Sequence, residues 1–354
     1  MHTHQASPIN LYIELLRGIA AVMVMLCHYA VFIQGEERSW LNFFYTGVDF
    51  FFVISGFVFA PTLLSPVREN FKAFAIRRIF RIYPLFLLAI FVYALLPHKS
   101  WDNGIILQHA LFLHTTISKE IAFYYNPAFW SLPVEIEFYL MISALVFLKI
   151  RNSRSVLFTL SVMSIAAGLW LHYYLPDDSH AKLVLTHHLP KILPEFLLGT
   201  LAYTISRNCN ILFGIFFGIA GLALLFYLGN AFVTHGDNVS HMTHGQFNLL
   251  CALGYQWIII AGVALLRQSQ HKAPFALTAT FLGNLSYGVY LFHNATPHIL
   301  KLFFELDGII LLAASMLATF LIAGILYAIL ENPMRNFGKH YASKFYQASV
   351  KQHL

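Results

Sequence analysis

Three ionisable side chains fall within the first long apolar stretch, Leu11 to Ala30. A charged group near the centre of a bilayer costs about 2.5 kcal/mol or more, so such residues usually face the interior of a helix bundle and serve a function. On an ideal helix Arg17 and His28 differ by about 20° in azimuth and about 16 Å along the axis, and Glu14 lies within about 60° of Arg17. One face therefore carries an arginine toward one end and a histidine toward the other.

The composition indicates where this face must lie. Of the 354 residues, 58% are hydrophobic and only 11% are charged, whereas soluble domains are about 25% charged. The formal net charge of +6 resides between apolar runs, which is the positive-inside pattern and not a nucleic-acid-binding patch. We therefore expect an all-α polytopic membrane protein that binds membrane lipid and no nucleic acid.

Windows of about 20 apolar residues predict the transmembrane helices. With the N-terminus inside, the inner connections and tail hold fifteen Lys and Arg, and the outer ones hold six. This asymmetry predicts two cytoplasmic termini and about ten helices around a central polar cavity. The windows are 11–33, 41–64, 82–97, 134–149, 156–175, 188–206, 211–232, 248–266, 276–298 and 308–330.

We expect a single transmembrane domain, 1–340, followed by a short cytoplasmic tail, 341–354. We expect no fused soluble domain and no cleavable signal peptide. The outer loop 97–133 carries its own apolar patches, so we expect it to pack back on the bundle. The three cysteines form no CxxC pair, and the loop histidines, His188 among them, match no ligand spacing. We therefore expect solvated loop histidines and no metal site.

The second span begins with Gly47 and contains Asp49 near its outer end, at about the depth that His28 reaches. Asp49 is read equally well as a solvated interfacial group or as a functional carboxylate. Ser55 and Gly56 lie near mid-membrane, where small residues allow close helix approach, and helix packing is the favoured interpretation for both.

Three arginines, Arg77, Arg78 and Arg81, follow on a short interfacial helix that Pro84 is expected to end. Arginine side chains bind phosphate bidentately. On spacing alone, anchoring to anionic lipid is the stronger alternative.

The fourth span carries two carboxylates, Glu135 and Glu137, about 200° apart on a helix. They cannot face one site, which excludes paired-carboxylate hydrolysis, and one of them is expected to face the cavity. Trp130 before them could be an interfacial anchor. In the ninth span His293 follows Tyr290 by three residues, where a hydrogen-bonded structural histidine is the alternative to a functional one. Glu331 is expected to pair with an inner arginine.

In this order the elements resemble the acyltransferase family 3 membrane proteins, which include bacterial polysaccharide O-acetyltransferases. The resemblance covers residues 11 to 335. The sequence departs from the family pattern at Pro133 and Ile136, and this difference bears on the local shape of the loop and not on the resemblance as a whole. The matching elements are Arg17-x10-His28, Gly47 to Phe57, Arg77-Arg78-x-x-Arg81-x-x-Pro84, Trp130-Ser-x-x-Val-Glu135-x-x-Phe-Tyr139, Ser286-Tyr-x-x-Tyr290-Leu-x-His293 and Glu331-x-Pro333.

The resemblance implies an acyl-CoA donor, usually acetyl-CoA, bound from the cytoplasm, and a hydroxyl acceptor on a surface polysaccharide, lipopolysaccharide or lipid-linked sugar. It implies a multi-pass protein of the bacterial inner membrane and no metal. Larger members carry a hydrolase-like soluble domain outside the membrane. This chain has no room for one, so such a partner would be a separate protein.

The roles follow from the resemblance together with the chemistry of acyl transfer, which needs a base and stabilisation of the oxyanion. His28 is the expected base, with Asp49 or Glu135 from another helix as its partner and Arg17 at the cavity entrance. The CoA phosphates would bind the three clustered arginines, Arg77, Arg78 and Arg81. The expected substrate-side residues are Trp130, Tyr139, Tyr290 and His293.

Two other function classes compete with the acyltransferase hypothesis. A proton-coupled transporter could also place an acid, an arginine and a histidine along a channel. The sequence, however, displays neither the paired repeats nor the broken helices of secondary transporters. The second alternative is a glycan-binding, flippase-like protein, which would not depend on acyl-CoA.

Overall fold

The computed structural model describes residues 10–34, 38–66, 69–97, 99–150, 153–176, 179–236, 244–266 and 272–351. These residues form helices and turns, with no strand among them, and the all-α prediction is confirmed. The α-helices are α1 Leu11–Tyr29, α2 Val31–Gln34, α3 Trp40–Phe43, α4 Gly47–Leu64, α5 Phe71–Ala94, α6 Asn103–Ala110, α7 His114–Ile117, α8 Lys119–Ala122, α9 Ser131–Phe147, α10 Ser153–Tyr174, α11 His180–Thr186, α12 Leu189–Ser206, α13 Ile211–His235, α14 His244–Leu266, α15 Ala273–Phe292, α16 Ala295–Phe303, α17 Gly308–Leu326 and α18 Asn332–Lys351. Phe44–Thr46 and Pro127–Trp130 are 3₁₀ turns, and Tyr327–Glu331 is π-helical.

Within the described ranges, eight helical segments are long and apolar enough to cross a membrane. Two further predicted windows, 82–97 and 188–206, coincide with parts of α5 and α12. Both helices carry charged residues, which lowers their hydropathy. A polytopic helical membrane protein is therefore supported, and the count of ten stays a prediction. The predicted tail falls mostly within α18, apart from 352–354, which lie outside the described residues.

Helices α1 and α15 run in the same direction with their backbones in close contact. A Cβ built on Gly18 would lie 2.4 Å from the Leu282 Cβ, and one on Gly283 would lie 2.6 Å from the Glu14 Oε2. Toward the other end of both helices, the His28 and His293 rings are 4.9 Å apart. Small residues let two membrane helices approach this closely, and the contact aligns the polar face of α1 with α15.

A second parallel pair, α4 and α12, also meets at glycines. A Cβ on Gly56 would lie 1.7 Å from the Phe196 carbonyl oxygen, and the Thr200 hydroxyl donates to the Gly56 carbonyl at 3.2 Å. The packing role predicted for Gly56 is confirmed. The same prediction for Ser55 is wrong, because Ser55 faces a cavity on the other side of α4.

Helix α5 continues through Pro84 for a further ten residues, so the prediction of a short interfacial helix ending there is wrong. Proline removes one backbone donor and disturbs a helix. Membrane helices tolerate this where neighbouring groups satisfy the freed carbonyls. The carbonyl that loses its helical donor is that of Phe80, four residues before Pro84. In the same turn of α5 the Tyr287 hydroxyl donates to the Ile82 carbonyl at 3.0 Å.

The helical run that begins as α15 is broken at His293 and Asn294, contrary to the expectation that no span is interrupted. Neighbouring side chains satisfy the backbone acceptors at the break. The Tyr93 hydroxyl donates to the Leu291 carbonyl at 3.1 Å, and the Tyr29 hydroxyl donates to the His293 carbonyl at 2.6 Å.

The segment between α5 and α9 packs on the bundle, as predicted. The Asn126 amide donates to the Leu291 carbonyl at 3.2 Å. Within this segment the His109 and His114 rings stack with centroids 4.3 Å apart. Burial lowers the pKa of His109 to about 3 and that of His114 to about 4, so both rings stay neutral above mild acid.

We predict that Gly56→Ala destabilises the protein by about 3 kcal/mol, because the new methyl group overlaps the α12 backbone. Thermal unfolding in detergent measures the effect. Gly324→Ala is the matched control, since a Cβ there meets no atom within 4 Å and alanine favours a helix. Equal melting temperatures for the two variants would contradict the close α4–α12 contact.

Stability should also fall with acid. Below the unfolded histidine pKa of about 6.5, the unfolded chain binds protons at His109 and His114, whereas the buried rings in the folded protein do not. Each of the two histidines therefore lowers the free energy of unfolding by about 2 kcal/mol at pH 5. The loss begins near pH 6.5 and continues toward the folded pKa values. His109→Gln should flatten the dependence of the melting temperature on pH, whereas His340→Gln, at an exposed position of α18, should leave it as steep.

Candidate active site

A partly open cavity lies between α1, α4, α5, α9 and α15. Its apolar lining comes mainly from α4, including Phe51 and Phe59. The polar lining residues are Glu14, Arg17, Ser55, Arg78, Arg81, Ser131, Glu135, Tyr139, Ser286, Tyr287 and Tyr290.

One end of the cavity is rich in charge. The Arg17 Nη1 lies 3.2 Å from the Glu14 Oε2. Arg81 interacts electrostatically with Glu14, Glu135 and Glu331. Glu331 pairs with Arg335 at 3.4 Å, which confirms its predicted pairing with an inner arginine.

Arg78 lines the same cavity, and within the described residues it forms no ion pair with a carboxylate. Its guanidinium lies 5.0 Å from the centre of the Phe59 ring and 5.8 Å from that of Tyr139. Cations over aromatic faces are stabilised electrostatically. The Arg78 Nε is buried without a hydrogen-bond partner, which leaves this side chain with capacity for an acceptor in the cavity.

Arg77 differs from its two neighbours. Its Nη2 lies 3.0 Å from the Glu69 Oε2, and it is absent from the cavity lining. The cluster predicted from the sequence is thus divided: Arg78 and Arg81 face the cavity, and Arg77 faces an acidic partner elsewhere. One position along a helix turns a side chain by about 100°, which explains the division.

Glu135 and Glu137 face opposite ways, as their spacing predicted. Glu135 lines the cavity and accepts a hydrogen bond from Tyr139. Glu137 accepts from the Leu189 backbone N–H at 2.7 Å and binds the His188 Nδ1. It therefore satisfies the N-terminus of α12.

His188 is buried and bonded on both ring nitrogens, so the prediction that it is a solvated loop residue is wrong. Its Nε2 contacts the Thr115 hydroxyl at 3.1 Å. Hydroxyl, imidazole and carboxylate are thus arranged as in a nucleophilic triad. Thr115 is 0% exposed, so no acyl donor reaches its hydroxyl, and the three groups join α7, α9 and α12 structurally.

His28 finds its partner on α15. The His28 Nδ1 lies 2.9 Å from the Val24 carbonyl and 3.2 Å from the His293 Nε2. Because a carbonyl only accepts, the proton of neutral His28 is on Nδ1. The His293 Nδ1 contacts the Val289 carbonyl at 3.1 Å, so His293 is also protonated on Nδ1 and accepts from His28 through Nε2. His28 keeps the lone pair of Nε2.

Tyr290 connects this histidine pair with the cavity. Its ring centre lies 6.2 Å from that of His293, and Tyr290 is among the residues that line the cavity. Its hydroxyl forms hydrogen bonds with Ser131 and the Ala128 carbonyl. Neither His28 nor His293 is itself part of that lining.

Asp49 lies elsewhere. It is 2% exposed, accepts from the Asn248 amide at 3.3 Å, and interacts with the carboxyl group of Glu195 and the charge of Lys191. The expectation that Asp49 or Glu135 partners His28 is wrong, because Asp49 faces α12 and α14 and Glu135 is bonded to Tyr139. Glu195 was missed, although a carboxylate inside an apolar window is a signal in itself.

Trp130 is half-buried beside the cavity and does not line it. Its ring lies 6.1 Å from Phe52 and 5.3 Å from His187. The sequence interpretation also missed Tyr287 and Ser131 as lining residues, although both stand inside motifs that it used. Among the described side chains, no group of three or more His, Cys, Asp and Glu is arranged to hold a metal ion.

Comparison with known proteins adds a family. The protein-family model for the acyltransferase 3 domain matches residues 10–328 of this chain. Two proteins named O-acetyltransferase OatA, from Staphylococcus aureus strains NCTC 8325 and COL, are each 26% identical over 365 aligned positions, which is 91% of this chain and 57% of theirs.

A further protein of S. aureus strain COL, named as a candidate O-acetyltransferase, is 26% identical over 370 positions, 92% of this chain and 58% of its own. This chain thus spans a little over half the length of these relatives. No solved structure matches it.

Proposed function

We propose that this chain, which belongs to the acyltransferase family matched by residues 10–328, is a membrane O-acetyltransferase. It would move an acetyl group from cytoplasmic acetyl-CoA to a hydroxyl of a surface or lipid-linked glycan. The observation that supports the proposal most strongly is that one cavity is lined by arginines and also by a tyrosine that contacts the histidine pair. Arg17, Arg78 and Arg81 line it together with Tyr290, which packs against the ring of His293.

The donor fits this cavity in charge and in length. The phosphates of CoA would bind Arg78 and Arg81, whose forks suit phosphate oxygens, and Arg17 would lie beside the pantetheine arm. Helical rise separates Arg17 from His28 by about 16 Å, which is comparable to an extended pantetheine arm. The thioester would thereby reach Tyr290 and the histidine pair.

The chemistry assigns the base role to the Nε2 of His28. The acceptor hydroxyl gives its proton to this nitrogen as its oxygen bonds to the thioester carbon, and the proton passes to the CoA thiolate when the carbon–sulfur bond breaks. The imidazolium formed in between is stabilised through its Nδ1–H by the Val24 carbonyl and the His293 Nε2. The hydroxyl groups of Ser131 and Tyr290 both contact the Ala128 carbonyl, and one of them would turn to donate to the thioester carbonyl oxygen.

The orientation in the membrane is part of the proposal. Ten spans with both termini in the cytoplasm would place the arginine end of the cavity inside and the histidine pair in the outer half. This agrees with the parallel course of α1 and α15, since the first and ninth spans would both run outward. The bacterial plasma membrane is part of the proposal because of the family match and the bacterial relatives.

A proton-coupled transporter remains the second candidate, and the helix break at His293 is the observation that favours it. A transporter would have no evident use for the Arg78 guanidinium, which faces the cavity over aromatic rings. Purified protein in liposomes, with labelled acetyl-CoA outside and a sugar acceptor, separates the two, because a transporter yields neither free CoA nor labelled sugar. Loss of glycan acetyl groups in cells without the gene, measured by NMR, tests the acceptor class.

The arginines offer a matched pair of substitutions. Arg81→Gln removes a cavity cation and should raise the KM for acetyl-CoA by about tenfold or more. Arg77→Gln removes the same charge next to it but outside the cavity lining, so its KM should change by less than about threefold. Similar KM values for both variants would assign the cluster to lipid anchoring instead.

His28→Ala should lower kcat by about 100-fold or more while the KM for acetyl-CoA changes little, because a general base acts in the transition state. Steady-state acetyl transfer by the purified protein measures both constants. His180→Ala, at an exposed histidine of α11, serves as the control. Undiminished kcat in His28→Ala would reject the mechanism.

A further inference from the structure

A row of charged side chains begins in the core at the end of the π-helical turn and continues along α18 to the surface. Glu331, Arg335 and Lys339 are spaced four residues apart, so they share one face and rise by about 6 Å per step. Glu331 is 4% exposed and pairs with Arg335 at 3.4 Å. Lys339 is exposed, and among the described residues no ion pair is recorded for it.

The packing of α18 on α5 brings this row to the arginines of the cavity. A Cβ on Gly338 would lie 2.6 Å from the Phe80 Cβ, and the Phe80 and Phe337 rings are 5.1 Å apart. Lys339 and Arg81 directly follow the two residues in contact. Lys339 therefore lies on the part of α18 that packs near Arg81, which lines the cavity, although Lys339 is not itself part of that lining.

The charges around Lys339 are of its own sign. It interacts electrostatically with Arg335, Arg81 and Arg78. Four cations gathered in this way repel one another, and Glu331 is the one carboxylate recorded as an ion-pair partner of any of them in the described chain. Such an arrangement is suited to a ligand with more than one anionic group.

We propose that Lys339 binds the phosphate monoester at the nucleotide end of the acyl donor, the ribose 3′-phosphate of CoA. This inference rests on the proposed function. CoA carries two separate anionic groups, a diphosphate and this monoester. The forked side chains of Arg78 and Arg81, within the cavity, suit the diphosphate. The ammonium of Lys339, a point charge outside the cavity lining, suits the monoester that projects from the nucleotide.

The consequence is discrimination between acetyl-CoA and 3′-dephospho-acetyl-CoA, which differ only in that phosphate. The unmodified protein should use acetyl-CoA with a KM about tenfold lower. Lys339→Ala should raise the KM for acetyl-CoA by about the same factor, with little change in kcat, and bring the ratio of the two KM values toward one. Steady-state acetyl transfer by the full chain in nanodiscs measures all four constants.

Lys344→Ala is the matched control, because Lys344 is an exposed lysine of the same helix that lies 5.3 Å over the Tyr341 ring. It should retain the discrimination. The assay is repeated in nanodiscs with and without anionic lipid, since a lipid phosphate is the other source of the same chemistry.

An unchanged ratio in Lys339→Ala, with transfer still active, overturns this inference and leaves the proposed function standing. An effect of Lys339→Ala that appears only with anionic lipid overturns it as well and assigns Lys339 to the membrane surface. Absence of acetyl transfer from either donor by the unmodified protein contradicts the proposed function itself.

Discussion

The close contact between α1 and α15 is the constraint on which the site depends. It exists because Gly18 and Gly283 carry no side chain where the two backbones meet. One end of the contact holds the Glu14–Arg17 ion pair at the cavity, and the other end holds His28 against His293. Since interiors are packed without room for adjustment, a larger residue at either glycine would displace both ends together.

Basic groups inside a membrane bundle require compensation, and the three cavity arginines obtain it in different ways. Arg17 has a carboxylate, Arg81 has the field of three carboxylates, and Arg78 has aromatic faces. Leaving a charge buried and unpaired costs several kcal/mol. All three side chains are only half-buried because they border the cavity, whose solvent or ligand supplies the rest of their solvation.

The break after α15 has a similar explanation. A bilayer offers no water to carbonyl groups that lose their helical partners, so protein groups must replace it. Tyr29 and Tyr93 supply two of the donors from α1 and α5, and Asn126 supplies a third from the outer segment. The outer segment thus does more than cover the bundle, because it stabilises the backbone next to His293.

The sequence interpretation went wrong at two residues whose contacts come from other helices. His188 and Pro84 were judged by residue type, since a loop histidine is usually solvated and an internal proline usually ends a helix. In both cases a partner distant in sequence decides the outcome: Glu137 binds His188, and Tyr287 bonds the backbone near Pro84. Such partners cannot be read from local spacing.

The sequence by itself determined the helical class, most of the spans and the direction in which a side chain leaves its own helix. It placed Arg17 and His28 on one face and Glu135 and Glu137 on opposite faces, because helical periodicity is a local property. Only the tertiary structure decided which helix each face meets. It gave His28 the partner His293 instead of Asp49, since the choice depends on where glycines permit backbones to approach.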